Sequence, residues 1–255
     1  MSTHNDVKIF ANDKPIFFLK FFATKERAET FLKGKMYANT PQFFRDKEIE
    51  SGERGQGDKN EMKYSMPCID LQFFDKETGN LAFSLEKATA IIDYPDDRNM
   101  PMVCFSGFSI DDLTVEKEDA DNVVYMLPFS EEEIVLLKEK FGPYCVLFEP
   151  ATFISKLNDF SAKTNVPYAI SPIKYRESND LEKATAFFSR KTDRFFFKDK
   201  DLAYQREYRL IIQMELPEDH FIVISSFNSI EKKKATVFDT DELKNLRLWA
   251  KRIDY

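Results

Sequence analysis

The chain has 255 residues, of which 43% are hydrophobic and 15% aromatic, a composition typical of a folded protein with a sizeable core. Its formal net charge of −7 excludes a uniformly basic surface of the kind that binds nucleic acid nonspecifically. No apolar run approaches the ~20 residues of a membrane-spanning helix, and the first residues do not resemble a signal peptide. We therefore expect no membrane association.

Histidine and cysteine are too scarce to carry much chemistry. His4 lies in a polar terminal segment and His220 in a turn-like cluster, which argues against a histidine triad or a histidine-rich metal site. Cys68, Cys104 and Cys145 form no CxxC pair and have apolar neighbours, so we expect buried, reduced thiols and a cytoplasmic location. Common phosphate-binding glycine motifs are also missing. Any catalysis must use Glu, Asp, Ser, Tyr, Lys or Arg.

Strand-like runs rich in β-branched and aromatic residues dominate the chain. These runs cover residues 16–22, 100–108, 122–129, 144–150, 168–175, 208–216 and 220–227. Capping residues and apolar residues at helical spacing predict helices over residues 25–33, 131–141, 151–164 and 180–189. Without a repeat or a break in composition, this order predicts one α+β domain over residues 1–255, with mostly antiparallel sheets, a few helices and a flexible segment 1–12.

Two strands each carry one polar residue among apolar neighbours. Lys20 lies at the centre of the first run, FFLKFF, on the same face as Phe18 and Phe22, and a buried ammonium group needs a partner. The alternative is a strand at the sheet margin whose lysine extends to solvent. Ser106 lies in the run VCFSGF beside Gly107, where a buried hydroxyl also needs a hydrogen-bond partner.

The segment 43–61 combines glycines with charged residues. Three glycines surround Arg54, and glycine permits positive φ angles and close approach of the backbone. Such a loop can bring Arg54 to a phosphate, which its guanidinium binds in a bidentate manner. Asp58 and Glu61 follow and suit a divalent cation, although two carboxylates do not make a site. The alternative is a flexible acidic loop.

The stretch AYQREYRLII, residues 203–212, is polar where it begins and apolar where it ends. Read as a strand, it places Gln205, Glu207 and Arg209 on one face. This arrangement is typical of polar side chains at the mouth of a cleft whose floor is the core. The alternative is a solvated face with a Glu–Arg pair, which contributes only ~0–1 kcal/mol.

The segments resemble, in their order, a widespread family of bacterial and phage proteins of unknown function whose fold is similar to that of the ADP-ribosyltransferases. The matching pieces are FFLKFF with Lys20, GKMYANTPQFF with Tyr37, GDKNE with Asp58 and Glu61, VCFS with Ser106, and FFKDKDLAYQREYRL with Lys198 and the Gln-x-Glu-x-Arg motif. The chain departs from the family at Lys59-Asn60, in lacking Met-Trp after the serine strand, and at Gln205, where the family has glutamate.

The resemblance implies roles for individual residues. Glu207 is implied as the catalytic carboxylate, Gln205 as the acceptor-side residue, and Ser106 as the serine that braces the glutamate. On the NAD side, the candidates are Lys20 for the adenosine end, Tyr37 for stacking on nicotinamide, Arg54 or Lys20 for the pyrophosphate, and Arg209. NAD is then a substrate. Cleavage of its nicotinamide–ribose bond develops an oxocarbenium-like cation, which a carboxylate stabilises without a metal.

Three functions follow as alternatives. The first is an NAD-dependent ADP-ribosyltransferase, a glycosyltransferase that acts as a toxin or phage-defence effector on an unknown protein or nucleic-acid acceptor. The second is a binding module that has kept the fold and lost the catalysis, since fold does not establish activity. The third is a metal-dependent nuclease with Asp58, Glu61 and Glu207 as ligands and Lys198 assisting.

Overall fold

The computed structural model describes residues 15–53, 55–228 and 233–251 of the chain. The segment 1–12, expected to be flexible, and Arg54 lie outside the described residues. The helices are α1 (Lys25–Leu32), α2 (Pro41–Ser51), α3 (Glu131–Phe141), α4 (Pro150–Thr164) and α5 (Leu181–Phe188). No helix within the described ranges is long and apolar enough to cross a bilayer.

The strands confirm an α+β fold with mostly antiparallel sheets. They are β1 (Phe17–Phe22), β2 (Lys35–Tyr37), β3 (Tyr64–Phe74), β4 (Leu81–Ile92), β5 (Met102–Phe108), β6 (Thr114–Glu118), β7 (Asn122–Met126), β8 (Tyr144–Phe148), β9 (Tyr168–Pro172), β10 (Lys174–Arg176), β11 (Phe197–Asp199), β12 (Glu207–Ile212), β13 (Phe221–Val223), β14 (Ala235–Asp239) and β15 (Arg247–Lys251). The central sheet has the order β14-β8-β1-β5-β12-β9, and each neighbouring pair in it is antiparallel.

Apolar clusters cover both faces of the central sheet. Alternation along β1 directs Phe18 and Phe22 into a cluster with residues of α1 and α4. The intervening Phe17 and Leu19 enter a second cluster that includes Ile134 of α3. Each fully buried side chain of this size contributes ~1.5–3 kcal/mol, so the first strand is fixed from both sides.

Two predicted helices begin at the caps that the sequence indicates. The side chain of Thr24 accepts a hydrogen bond from the backbone N–H of Arg27 at the start of α1. At the start of α3, Ser130 and Glu133 form a reciprocal capping box. Local sequence is sufficient here because a cap involves only residues within one turn.

Helix α2 occupies part of the segment that was predicted as a loop, so the prediction for residues 43–61 is wrong in its first half. Thr40 caps this helix, and Gly52 ends it with a φ of 68°. The buried residues of the helix include Arg45 and Glu48. Because charged side chains face inward, the helix has no apolar stripe from which it could be predicted. The hairpin of β3 and β4 was also missed.

The prediction that the polar stretch 203–212 is one continuous strand is wrong. A 3₁₀ segment covers Lys200–Gln205, and Arg206 then adopts a left-handed φ of 45°. Strand β12 begins only at Glu207. The left-handed residue interrupts the two-residue period, so Gln205 reaches its position from a turn and not from a strand.

Candidate functional site

The central sheet opens between β1 and β5. Their pairing ends at Leu19 and Ser106, whereas β1 stays paired with β8 as far as Phe22. The Lys20 ammonium group crosses this opening and donates to the Cys104 carbonyl at 2.8 Å. A cleft of about 800 Å³ lies at the opening, a volume within the usual range for small-molecule sites.

Most of the residues singled out in the sequence line this cleft. They are Lys20, Tyr37, Asp58, Glu61, Ser106, Lys198, Gln205 and Glu207. Arg209 does not line it, because its side chain is fully buried behind Glu207. Residues that are up to 187 positions apart in the chain, from Lys20 to Glu207, are thus brought to one cavity.

A charge quartet of Glu61, Lys198, Glu207 and Arg209 forms one wall of the cleft and the structure behind it. Lys198 Nζ lies 2.5 Å from Glu207 Oε2 and 4.0 Å from Glu61 Oε2. Arg209 Nη2 lies 3.1 Å from Glu207 Oε1 and 2.9 Å from Glu61 Oε1, and Arg209 Nη1 donates to the Phe195 carbonyl. Two carboxylates and two cations therefore balance in a buried position.

The quartet keeps Glu207 ionised. Burial by itself raises the pKa of this carboxyl, but the charges of Lys198 and Arg209 outweigh it and lower the pKa of Glu207 to about 2. The same pairing raises the pKa of Lys198 above its ordinary value, against the effect of burial. At neutral pH the cleft thus contains a fixed carboxylate with neighbouring cations.

Ser106 and Gln205 support Glu207 through the backbone. Ser106 Oγ donates to the carbonyl of Gln205 at 2.8 Å, and Ser106 pairs with Glu207 between β5 and β12. The Gln205 amide donates to the Gly55 carbonyl at 2.8 Å and accepts from Lys198 at 3.1 Å. Ser106 thus holds the turn that precedes the glutamate, and its hydroxyl hydrogen does not go to the carboxylate.

The glycines of the loop allow it to pack closely. A Cβ on Gly57 would lie 2.5 Å from the backbone nitrogen of Glu48 in α2. Gly55 has a φ of 116°, a conformation that other residues rarely adopt, and its carbonyl receives the Gln205 amide. The predicted close approach of backbone is therefore present, and its partners are α2 and Gln205.

Asp58 and Glu61 are buried in the cleft wall. Their side chains are nearly inaccessible, and burial raises the pKa of both carboxyl groups against the opposing charges of Lys198 and Arg209. Within the described part of the chain, no group of three or more His, Cys, Asp or Glu side chains is arranged to hold a metal ion. Of the three carboxylates of the nuclease hypothesis, Glu61 and Glu207 pair with the two cations of the quartet. Asp58 accepts a hydrogen bond from the backbone N–H of Asn60.

Aromatic rings also line the cleft. Tyr37 is half-exposed, and its ring stacks on His220 with a centroid distance of 5.3 Å and an interplanar angle of 14°. Phe221 packs against the same tyrosine edge-on at 5.5 Å. A planar ring entering the cleft thus meets an aromatic surface of fixed orientation.

The cleft is cationic although the chain is acidic, and sequence reasoning missed this. Basic side chains along its lining, besides Lys20 and Lys198, are Arg27, Lys35, Lys47, Lys138 and Lys140. No carboxylate among the described residues lies within salt-bridge distance of Lys20, and burial lowers its pKa. The basic residues come from separate elements, so no local run of charge could have revealed them.

Tyr175 was also missed. Its hydroxyl oxygen accepts a hydrogen bond at 2.9 Å from the backbone N–H of Glu207. It ends the strand-like run 168–175, which contains no polar motif, so the sequence offers no signal for this contact.

The three cysteines differ in their surroundings. All are free, and Cys145 is buried as expected, whereas Cys68 and Cys104 are half-buried. Cys104 lines the cleft, but burial raises the pKa of its thiol to about 12. A thiolate nucleophile is therefore disfavoured at this position.

No protein-family model, no curated protein and no solved structure significantly matches this chain. Its function must therefore be inferred from the residues of the cleft.

Proposed function

We propose that the cleft binds NAD and that the protein transfers the ADP-ribosyl group to an acceptor. The observation that carries this proposal is that Lys20, Tyr37, Ser106 and Glu207 line the same cleft. The resemblance to the ADP-ribosyltransferases assigns these residues to the NAD site from their order in the sequence. Lys20 lies just beyond the point where β1 separates from β5, and Ser106 lies at that point.

The chemistry of the cleft suits this ligand. An excess of basic side chains attracts a pyrophosphate. Lys20, which has no carboxylate partner in the described structure, is one of the cations that can pair with it. Tyr37, which stacks on His220, offers an aromatic surface to a nicotinamide or adenine ring. The cleft can thus recognise a dinucleotide through the charge of its pyrophosphate and the planar shape of its bases.

Glu207 is the proposed catalytic residue. The nicotinamide–ribose bond breaks, its electron pair leaves with nicotinamide, and the positive charge that develops on the ribose faces a carboxylate that is already ionised. The acceptor nucleophile then forms the new bond to ribose C1 and loses its proton to solvent. A carboxylate fixed on a strand stabilises this transition state without having to reorganise.

Nicotinamide release from NAD tests the proposal. We expect release by the wild type and a ~10²–10³-fold lower rate for Glu207→Gln, because one preorganised electrostatic group is lost. Asp97→Asn is the matched control, since it disrupts a buried ion pair outside the cleft and should keep the wild-type rate. If neither the wild type nor Glu207→Gln releases nicotinamide with protein, nucleic-acid or small-molecule acceptors, the enzymatic proposal is wrong.

One observation favours a second candidate, a nucleotide-binding module without catalysis. Both carboxylate oxygens of Glu207 are paired, Oε1 with Arg209 and Oε2 with Lys198, and the residue is only 6% exposed. Such a carboxylate is suited to holding the wall together. This module predicts NAD binding that Lys20→Met weakens at least about tenfold, while no nicotinamide is released. Calorimetric titration with NAD measures the affinity independently of turnover.

The biological setting follows from the same proposal. An enzyme of this kind would act in the cytoplasm as a toxin or phage-defence effector on a protein or nucleic-acid acceptor. Expression of the wild type in a bacterial host should then arrest growth, and Glu207→Gln should relieve the arrest. Equal growth with both chains would contradict the effector role.

A further inference from the structure

Lys198 has two carboxylate neighbours in the quartet and uses them unequally. Its ammonium nitrogen lies 2.5 Å from Glu207 Oε2 but 4.0 Å from Glu61 Oε2. Although Arg209 Nη2 is 2.9 Å away, Glu61 Oε1 has no aligned hydrogen bond within the described structure. Both oxygens of Glu207 thus accept hydrogen bonds from a cation, whereas Glu61 has an oxygen with none in the described structure.

The proposed reaction needs acceptor capacity at Glu207. A ribose hydroxyl that approaches the carboxylate finds Oε1 held by Arg209 and Oε2 held by Lys198. Arg209 is fixed at three points, since it contacts both carboxylates and the Phe195 carbonyl. Lys198 is a point charge on a flexible stem, so it is the partner that can move.

We infer that Lys198 is a positioning residue with two positions, and that its ammonium group transfers a hydrogen bond from Glu207 Oε2 to Glu61 Oε2 when a ligand hydroxyl reaches Glu207. The ligand as trigger rests on the proposed function, whereas the two positions rest on the quartet alone. No covalent bond changes, and the ammonium group keeps its three protons. Gln205 Oε1, 3.1 Å from the nitrogen, can accept in either position.

The charges of the quartet permit this movement. Lys198 stays between the same two carboxylates, so neither position leaves a buried cation without a counter-charge. Burial raises the pKa of Glu61, and an ammonium group that moves closer favours the ionised form again. Glu207 gains a free lone pair, while Arg209 continues to fix its other oxygen.

A structure of Glu207→Met without ligand tests the two positions. Methionine has a similar length and no acceptor oxygen, so we expect Lys198 Nζ to close its 4.0 Å gap to Glu61 Oε2 to ~2.8 Å. If the nitrogen stays about 4 Å away, the inference is wrong. Glu207→Gln serves if the methionine variant does not fold, because a neutral amide binds the ammonium less strongly than the Glu61 carboxylate and the same shift is expected.

Kinetics of Glu61→Gln test the link to catalysis. We expect kcat for nicotinamide release to fall at least about tenfold while KM changes less than about threefold. The reason is that Lys198 then keeps its hydrogen bond to Glu207 in the transition state. Asp97→Asn should change neither constant, which separates this effect from a loss of stability. A rise in KM alone would contradict the inference.

The two experiments separate two failures. If the wild type releases no nicotinamide but Lys198 shifts in Glu207→Met, the proposed function fails and the two positions stand. If the wild type is active and Lys198 does not shift, the proposed function stands and the inference fails.

Discussion

Two buried ion-pair clusters of this protein invite comparison: the charge quartet and the pair of Arg194 with Asp97. In the pair, Arg194 Nε and Nη2 donate to the two oxygens of Asp97 at 2.7 and 2.8 Å. The guanidinium also lies over the ring of Phe195 at 4.0 Å and donates to the carbonyl of Arg190. This parallel, bidentate geometry gives each oxygen of the carboxylate a charge-assisted hydrogen bond.

The charged groups of the quartet are paired less evenly. Arg209 divides its guanidinium between Glu61 and Glu207, and Lys198 lies close to Glu207 but 4.0 Å from Glu61. Among the residues that the structure describes, none gives Glu61 Oε1 an aligned hydrogen bond. The quartet also borders a cleft, whereas Asp97 is absent from the cleft lining. Because pairing of both oxygens serves stability, the incomplete pairing at a cavity makes the quartet our candidate for a functional role.

The largest effect on the free energy of unfolding is expected from Arg209→Met. Removing this cation leaves Glu61 and Glu207 with one cation between them, so the free energy of unfolding should fall by about 3–5 kcal/mol. Arg247→Met provides the control, since it breaks an exposed pair with Glu116 and should cost less than ~1 kcal/mol. Urea denaturation measures both. Equal losses would mean that burial does not distinguish the quartet.

The next effect is expected from low pH, because protonation of Glu207 should remove its contribution to the free energy of unfolding. The folded-state pKa of about 2 lies below the ordinary glutamate pKa of 4.5, so this carboxylate stabilises the protein above pH 4.5. The stabilisation should disappear as pH falls from 4.5 to about 2, because the unfolded chain binds the proton first. The difference in unfolding free energy between wild type and Glu207→Gln should therefore shrink across this window. A constant difference there would refute the assigned pairing.

Asp97→Asn should have a smaller effect, and on stability alone. The variant weakens a bidentate pair but keeps the carbonyl contacts of Arg194, so we expect a loss of ~1–3 kcal/mol. Affinity for NAD should be unchanged in the same preparation, as calorimetric titration can show. A parallel loss of NAD affinity would break the division between the two clusters.

The smallest effect is expected from Ser106→Ala. The variant removes one hydrogen bond to the Gln205 carbonyl, which is worth ~1 kcal/mol of unfolding free energy. A much larger loss, measured by thermal unfolding, would show that Ser106 supports more of the quartet than this one bond.

Local features of this protein could be read from its sequence. Strand alternation placed Phe18 and Phe22 opposite Leu19, and the caps at Thr24 and Ser130 marked the starts of two helices. These features depend on neighbours within a few residues, for which spacing and side-chain type are sufficient. The candidate site residues were likewise found as short polar interruptions of apolar runs, such as Lys20.

Helix α2 escaped prediction for a physical reason. It buries Arg45, whose guanidinium binds the carbonyls of Glu61 and Met62 and the carboxylate of Asp93. A helix that packs through charged side chains has no apolar period, so its inward face is defined only by partners elsewhere in the fold.

The sequence by itself determined the α+β class, the first strand, the capped helices and a short set of polar candidates. Only the tertiary structure decided which of these charges meet. Glu61 and Arg209 are 148 positions apart, and their contact depends on the loop after α2 packing against the start of β12. Charge pairing is selected by distance and burial in space, which no periodicity along the chain encodes.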